Sequence, residues 1–412
     1  MKITEFLNSS YTAYHATANA AAMLENAGFK KFDRGDGAAI ERGGKYYCTI
    51  NDSAFIAFTV GKEKGLNVAC AHTDSPSLKI KGGKLIDSPE GKLINVEVYG
   101  GLLLYSMLDI PLKIAGRAFV KAADGVECKL VCSDFNVNIP SLCIHHADKD
   151  AGLKLNPQTD MLPLIGAADD IYSALGLENV LDGDLFVVSD VAPYYSGANC
   201  EYLVSPRLDN LTSVYSCVNG LINARPKGIS VIACFDNEEI GSGTKQGAVS
   251  VFLEETLRRV YSDLGYSESD FAAACANGLV LSIDNGHAMH PAHPEKSDII
   301  NKVYLNGGIV VKHHANYSTD GKSSALLKAV LEKAEIPYQD YYNRSDIRCG
   351  GTLGLITSRQ FAMDAVDIGL AELAMHSAIE TVGSKDVDRM TDCVTAFLNA
   401  TFKNGKNKTI IS

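Results

Sequence analysis

The stretch VIACFDNEEIGSG, residues 231–243, runs apolar as far as Phe235 and then presents Asp236, Asn237, Glu238 and Glu239 without a break. A short apolar run bounded by polar residues and glycine reads as a buried strand that ends at water. Carboxylates crowded this closely repel one another unless something cationic sits among them. The segment is therefore either a solvated turn or part of a metal site, and its surroundings must decide.

Working outward, strand-like and helix-like runs alternate from Ser205 onward. LDNLTSVYSCVNGLINA (208–224) reads as a helix, GISVIACF (228–235) as a strand, VSVFLEETLRRVYSDLG (249–265) as a helix and NGLVLSID (277–284) as a strand. SSALLKAVLEKAEI (323–336) and GLAELAMHSAIETVG (369–383) both read as helices. This alternation predicts a mostly parallel sheet covered by helices. Between Lys79 and Leu203 the texture changes to glycine-punctuated alternating segments such as GKLINVEVYGG and DLFVVSDV. The expected organisation is a discontinuous α/β catalytic domain (1–80 and 204–412) with a β-rich module (81–203) inserted in it.

The bulk properties narrow the function. Hydrophobic content of 46% with 21% charged residues is that of a soluble globular chain. The net charge of −11 speaks against a nucleic-acid surface, which needs a basic footprint. No apolar run approaches the length of a membrane span. The N-terminal 28 residues read as an amphipathic helix without a cleavage signal. Eleven cysteines with no Cys-x-x-Cys pair suggest buried, reduced thiols and a cytoplasmic location.

Three apolar runs end in the same chemistry. LNVACAHTD ends in His72 and Asp74, VIACFDNEE in Glu238 and Glu239, and LVLSIDNGH in Asp284. Ligands of open α/β sheets bind beyond the carboxyl ends of the strands, so these residues can converge in one crevice. Asp209, where a helix begins, and His376, in LAMHSAIE, can join them. Singly, each has a plainer reading: a helix cap, a core histidine, a solvated turn. Together they offer two histidines and a surplus of carboxylates without a cysteine, a donor set for a hard-to-borderline divalent cation.

In order and spacing, CAHTDSPSLKIK, SPRLDNL, FDNEEIGSGTKQGA, SIDNGHAMHPAHPEK and VDIGLAELAMHSAIE resemble the M18 metallo-aminopeptidases, the aspartyl aminopeptidase family. The resemblance extends through IPSLCIHHADKDAGLKLNPQTDMLP in the middle module. It implies a phosphorylase/hydrolase-like, mixed-sheet, three-layer α/β core with an inserted β-rich lid and oligomerisation domain. It also implies two Zn2+ ions per subunit, with Co2+ or Mn2+ as substitutes, peptide substrates, and a homododecamer. Carried over residue by residue, His72, Glu239, Asp284 and His376 would bind metal, Asp209 would bridge the ions, Asp74 would orient His72, and Glu238 would be the general base. Adjacent glutamates on an extended strand end would point in opposite directions, one to metal and one to water. His145 matches a histidine that reaches a neighbouring subunit's site, and Lys312 a lysine near the substrate pocket.

NRSDIRCGGTLG resembles the family's substrate loop and carries Arg344 and Arg348. Pro291 and Pro294 break any helical triad of His287, His290 and His293; the first two are read as standing beside the site and His293 as surface. The chain departs from the family after YGG, where YGGLLLYSMLDIPL keeps only Asp109 of a charged stretch, and at HANYSTD, which is shortened. An acidic first residue needs a basic group in the pocket, so acidic and neutral preferences both stay open. The rivals to an aminopeptidase are a metal-dependent deacylase of N-acyl amino acids on the same core and a catalytically silent assembly protein.

Overall fold

The computed structural model describes residues 1–35, 39–146, 154–406 and 408–412. Its centre is a nine-stranded mixed sheet. Four neighbouring strands run parallel: Ile229–Phe235, Leu66–His72, Leu279–Ile283 and Asp364–Gly369. The first three are buried at every residue, as expected of strands covered on both faces. Antiparallel strands Lys45–Ile50 and Ala54–Val60 extend one edge, and Ile309–His313 with Tyr338–Tyr342 extend the other.

Helices cover both faces, giving the three-layer α/β fold. Leu208–Asn223, Gly321–Lys333 and Asp386–Asn399 pack on one side through Leu211, Leu327 and Val394. Phe252–Asp263 and Glu268–Asn277 pack on the other through Leu257 and Phe271. At Gly220 a Cβ would lie 2.5 Å from Val394, so this glycine lets the first and last of these helices approach closely.

A six-stranded sheet is built from strands lying between Ser77 and Ser189, around its own core of Leu78, Ile94, Ile114 and Val187. A five-stranded sheet joins Tyr194–Ser196, Tyr202–Ser205, Glu380–Gly383, Ala371–Leu373 and Gly286–His287.

Three local expectations are corrected. The N-terminal segment forms two helices, Ile3–Ser9 and Ala13–Asn26, rather than one. Residues 369–383 contain no helix: Ala371–Leu373 and Glu380–Gly383 pair antiparallel, and the latter also pairs with Tyr202–Ser205. Cross-strand partners supplied by distant chain override the local helical periodicity there. All eleven cysteines are free, but Cys128, Cys132, Cys143 and Cys200 are exposed rather than buried.

Candidate metal centre

Register brings the predicted residues to one sheet end. Phe235 pairs with His72, and Ser282 pairs with Cys70, which sets Asp284 level with His72. The Glu238/Glu239 segment does not continue the strand as expected. Asn237 adopts a left-handed φ of 61°, and Glu238–Ile240 form a short 3₁₀ turn that folds both glutamates back over the sheet end. Asp209 lies in the first turn of its helix with non-helical backbone angles. His376 sits in the turn between two strands, at φ 64°. The side chains nevertheless converge: donor atoms of His72, Asp209 and Glu239, and of His72, Glu238 and Asp284, each gather within 4.8 Å of one another.

The separations are chemically specific. Asp209 Oδ1 lies 3.6 Å from His72 Nε2, and Asp209 Oδ2 lies 3.5 Å from His376 Nε2. Glu239 Oε1 is 3.4 Å from the same His376 Nε2. These are long for hydrogen bonds, which close to about 2.7–3.2 Å. They match the edge of a zinc coordination tetrahedron, about 3.3–3.4 Å for ligand bonds of about 2.0–2.1 Å. Asp209 Oδ1 is buried and has no hydrogen-bond partner, as a carboxylate kept for a cation would be.

Both imidazoles are turned with Nε2 toward this cluster. His72 Nδ1 is 3.0 Å from the main-chain carbonyl of Asp74, and His376 Nδ1 is 3.1 Å from that of Gly101. An N–H donated at Nδ1 leaves the Nε2 lone pair for a metal. The carboxylate of Asp74 is 3.4 Å from His72 and has closer business elsewhere. It accepts the backbone amides of Glu238 at 3.1 Å and Glu239 at 3.2 Å, and the Tyr99 hydroxyl at 2.7 Å. Asp74 thus fixes the glutamate turn as well as bordering His72.

Electrostatics follow from crowding. Burial pushes Glu238 up to about 7 and Glu239 well above the carboxylate range, Asp209 adding to the latter. Burial works against charge on the histidines, but the surrounding carboxylates together outweigh it: Asp209, Asp74 and Glu238 lift His72 well above its ordinary value, and Asp209, Glu239 and Glu380 lift His376 to about 9. Asp209 is correspondingly held low despite its burial, chiefly by His376 and His72. Only added positive charge allows all these carboxylates to be ionised together.

The structure treats the outlying residues differently. Lys312 is buried, donates to the Asn285 carbonyl at 2.7 Å and stands 3.5 Å from Asp284. His145 and Arg348 are exposed on loops, and Arg344 is paired with Asp346. Residues 147–153 of the motif that follows His145 lie outside the described residues. His290 and His293 are exposed, with ring centroids 5.0 Å apart.

Sequence reasoning missed several residues. In YGG, Tyr99 braces Asp74, while the glycines give the backbone room: a Cβ on Gly101 would lie 2.9 Å from His376 Nδ1, and one on Gly100 3.0 Å from Glu239 Cβ. Glu380 was missed as well. The signal available was the YGG motif itself, which had been read only for specificity.

Comparison with known proteins gives the family. Residues 6–398 match the family "Aminopeptidase I zinc metalloprotease (M18)". The chain belongs to the M18 peptidase family. It is a metallo-aminopeptidase, and therefore a hydrolase. It is 39% identical to "Probable M18 family aminopeptidase 2" of Clostridium acetobutylicum over 93% of this chain and 95% of that one. Among solved structures, the Ape4 of an Ape4–Nbr1 complex superposes with a TM-score of 0.91 at 30% identity, covering 96% of this chain and 84% of that one. The S. cerevisiae mApe1 dodecamer superposes with a TM-score of 0.84 at 26% identity, covering 96% and 95%.

Proposed function

We propose that this M18 enzyme is a dinuclear zinc aminopeptidase that removes single N-terminal residues from peptides. The observation that carries the reading is Asp209, whose two oxygens face two different histidines at 3.6 and 3.5 Å while one oxygen has no hydrogen-bond partner. His72 and Asp284 would hold one ion, His376 and Glu239 the other, with Asp209 between them. When bound, the two cations would polarise the scissile carbonyl and lower the pKa of a water nucleophile.

The chain's own groups do the rest. Glu238, whose carboxylate gathers with His72 and Asp284, would accept a proton from water and return it to the leaving amine. Asp74 holds the amide of Glu238 so that its carboxylate faces the cluster, and the Asp74 and Gly101 carbonyls keep the histidine Nε2 atoms directed at the ions.

A neutral first residue is favoured over an acidic one by the state of Lys312. Its ammonium is buried against Asp284 and the Asn285 carbonyl, so its charge is already balanced. We further propose that residues 81–203 act as an inserted lid and oligomerisation domain, that the chain assembles as a homododecamer as mApe1 does, and that it works in the cytoplasm, where free thiols persist. No helix among the described residues is long and apolar enough to cross a membrane.

The test is hydrolysis of Asp, Glu, Leu, Ala and Lys p-nitroanilides by chelated enzyme resupplied with zinc, cobalt or manganese. Metal-restored cleavage of Leu or Ala is expected. Metal-independent cleavage would overturn the mechanism, and a dominant Asp or Glu rate the specificity. Cleavage of N-acyl but not free-amine substrates would select the deacylase.

A further inference from the structure

Two residues assigned to metal come from backbone that no regular element holds. Asp209 has φ −80° and ψ 104°, in a two-residue kink with the equally non-helical Asn210 at the start of its helix, and His376 has φ 64° in a turn. They stand 167 residues apart in sequence, and one buried side chain touches both. Glu380 Oε2 accepts the backbone amide of Asp209 at 3.0 Å, and Glu380 Oε1 accepts that of His376 at 2.7 Å. Glu380 is 2% exposed. The strand pairing explains how it gets there: Glu380 opens the strand Glu380–Gly383 and pairs with Ser205, which leads into the Asp209 turn.

We propose that Glu380 is a positioning residue for the metal centre, a clasp whose two carboxylate oxygens lock the bridging aspartate and His376 in mutual register. It does not reach substrate and it is not itself a ligand. What it supplies is the angle between two ligands delivered by separate loops. With both backbones pinned, His376 Nε2 and Asp209 Oδ2 stand 3.5 Å apart. A carboxylate suits this task and an amide does not, because a glutamine offers one accepting oxygen and turns N–H donors toward the second backbone N–H. The proposal rests on the dinuclear reading given above.

The test is Glu380→Gln in the full-length protein, stripped with chelator and titrated with zinc against a chromophoric competitor. Thermal unfolding is followed with and without metal. The parent is expected to bind two ions. E380Q is expected to weaken the ion held by His72 and Asp284 only slightly, through Asp209 alone. The ion that needs His376 should be about 10- to 100-fold weaker, the range over which supporting hydrogen bonds tune metal sites. The Tm of the chelated variant should fall modestly, because one backbone amide loses its acceptor; a merely structural role predicts that fall with parent-like zinc affinity, so the titration decides. Glu380→Asp keeps two accepting oxygens on a shorter stem and should fall between the two. If E380Q does not fold, E380D is read in the same way, with the ion that needs His376 expected to weaken the more. Parent-like affinity for both ions in the folded variant overturns the clasp. A parent that binds no metal overturns the dinuclear reading beneath it, so the two failures are distinct.

Discussion

Removing the metal should make stability depend on pH in a direction set by the site. In the chelated protein Glu238 binds its proton up to about pH 7 and His376 up to about pH 9, against ordinary values of 4.5 and 6.5. Both folded-state values are raised, so each group contributes stability that is complete below its unfolded pKa and is lost as pH rises through the folded one. Glu238 loses its contribution between about pH 4.5 and 7, and His376 between about pH 6.5 and 9. Each shift corresponds to roughly 3 kcal/mol at about 1.4 kcal/mol per unit, and discounting for the partly exposed His376 leaves roughly 5 kcal/mol from these two groups, with His72, Glu239 and Glu380, raised in the same direction, adding to the fall. Asp209 is shifted the other way, so its contribution is present throughout this window and adds no slope. For 412 residues an unfolding entropy of about 2 cal/mol/K per residue converts the two-group figure to a fall in Tm of at least about 6 °C. In the metal-loaded protein the ligands must be deprotonated, so the trend should flatten or reverse. The assay is differential scanning fluorimetry from pH 5 to 9 with chelator and with zinc. Groups elsewhere, such as the buried His15, titrate alike in both series and cancel. Parallel Tm curves would refute the assignment of Glu238 and His376 to a shared metal centre.

Three further outcomes are expected. Glu238→Gln should lower kcat about 10²- to 10⁴-fold, the usual contribution of a general base, while metal content measured by atomic absorption stays at the parent level; loss of metal would instead make Glu238 a ligand. Gly101→Ala places a methyl 2.9 Å from His376 Nδ1 and should displace the ring, so zinc titration should show one weakened ion; unchanged binding would show that the loop yields instead. Lys312→Met should leave the ratio of kcat/KM for Leu over Asp substrates within about threefold of the parent even if both rates fall, because the ammonium is already balanced by Asp284. A selective loss of Asp hydrolysis would return Lys312 to the role of reading an acidic side chain.

The parts of the site legible in sequence were those carried by regular structure. His72 and Asp284 follow all-buried strands, and parallel strands side by side must bring their carboxyl ends to one edge. Glu238 and Glu239 were recognisable as chemistry, but their 3₁₀ turn was not, since Asn237 at φ 61° redirects the chain immediately after the strand. His376 was placed on a helix because its neighbours have helical spacing; strands at Tyr202–Ser205 and Ala371–Leu373 capture that segment instead. Gly101 carried only the signal of the YGG motif it belongs to, and Glu380 none at all. They act through a main-chain carbonyl and through main-chain amides, and such contacts leave no pattern in residue type.

That division has a physical cause. Metal ligands from irregular backbone need an external hold, because a turn alone leaves its amides unsatisfied and its side-chain directions soft. Two buried carboxylates provide it here, each accepting two amides: Asp74 takes those of Glu238 and Glu239, and Glu380 takes those of Asp209 and His376. A buried carboxylate is costly unless its oxygens are satisfied, and a free amide in a turn is costly unless it finds an acceptor. Each carboxylate resolves both costs at once while setting the direction of two side chains. The negative charge needed at this sheet end therefore exceeds what coordination alone requires. The crowding of acids in space at this sheet end reflects positioning as well as chemistry.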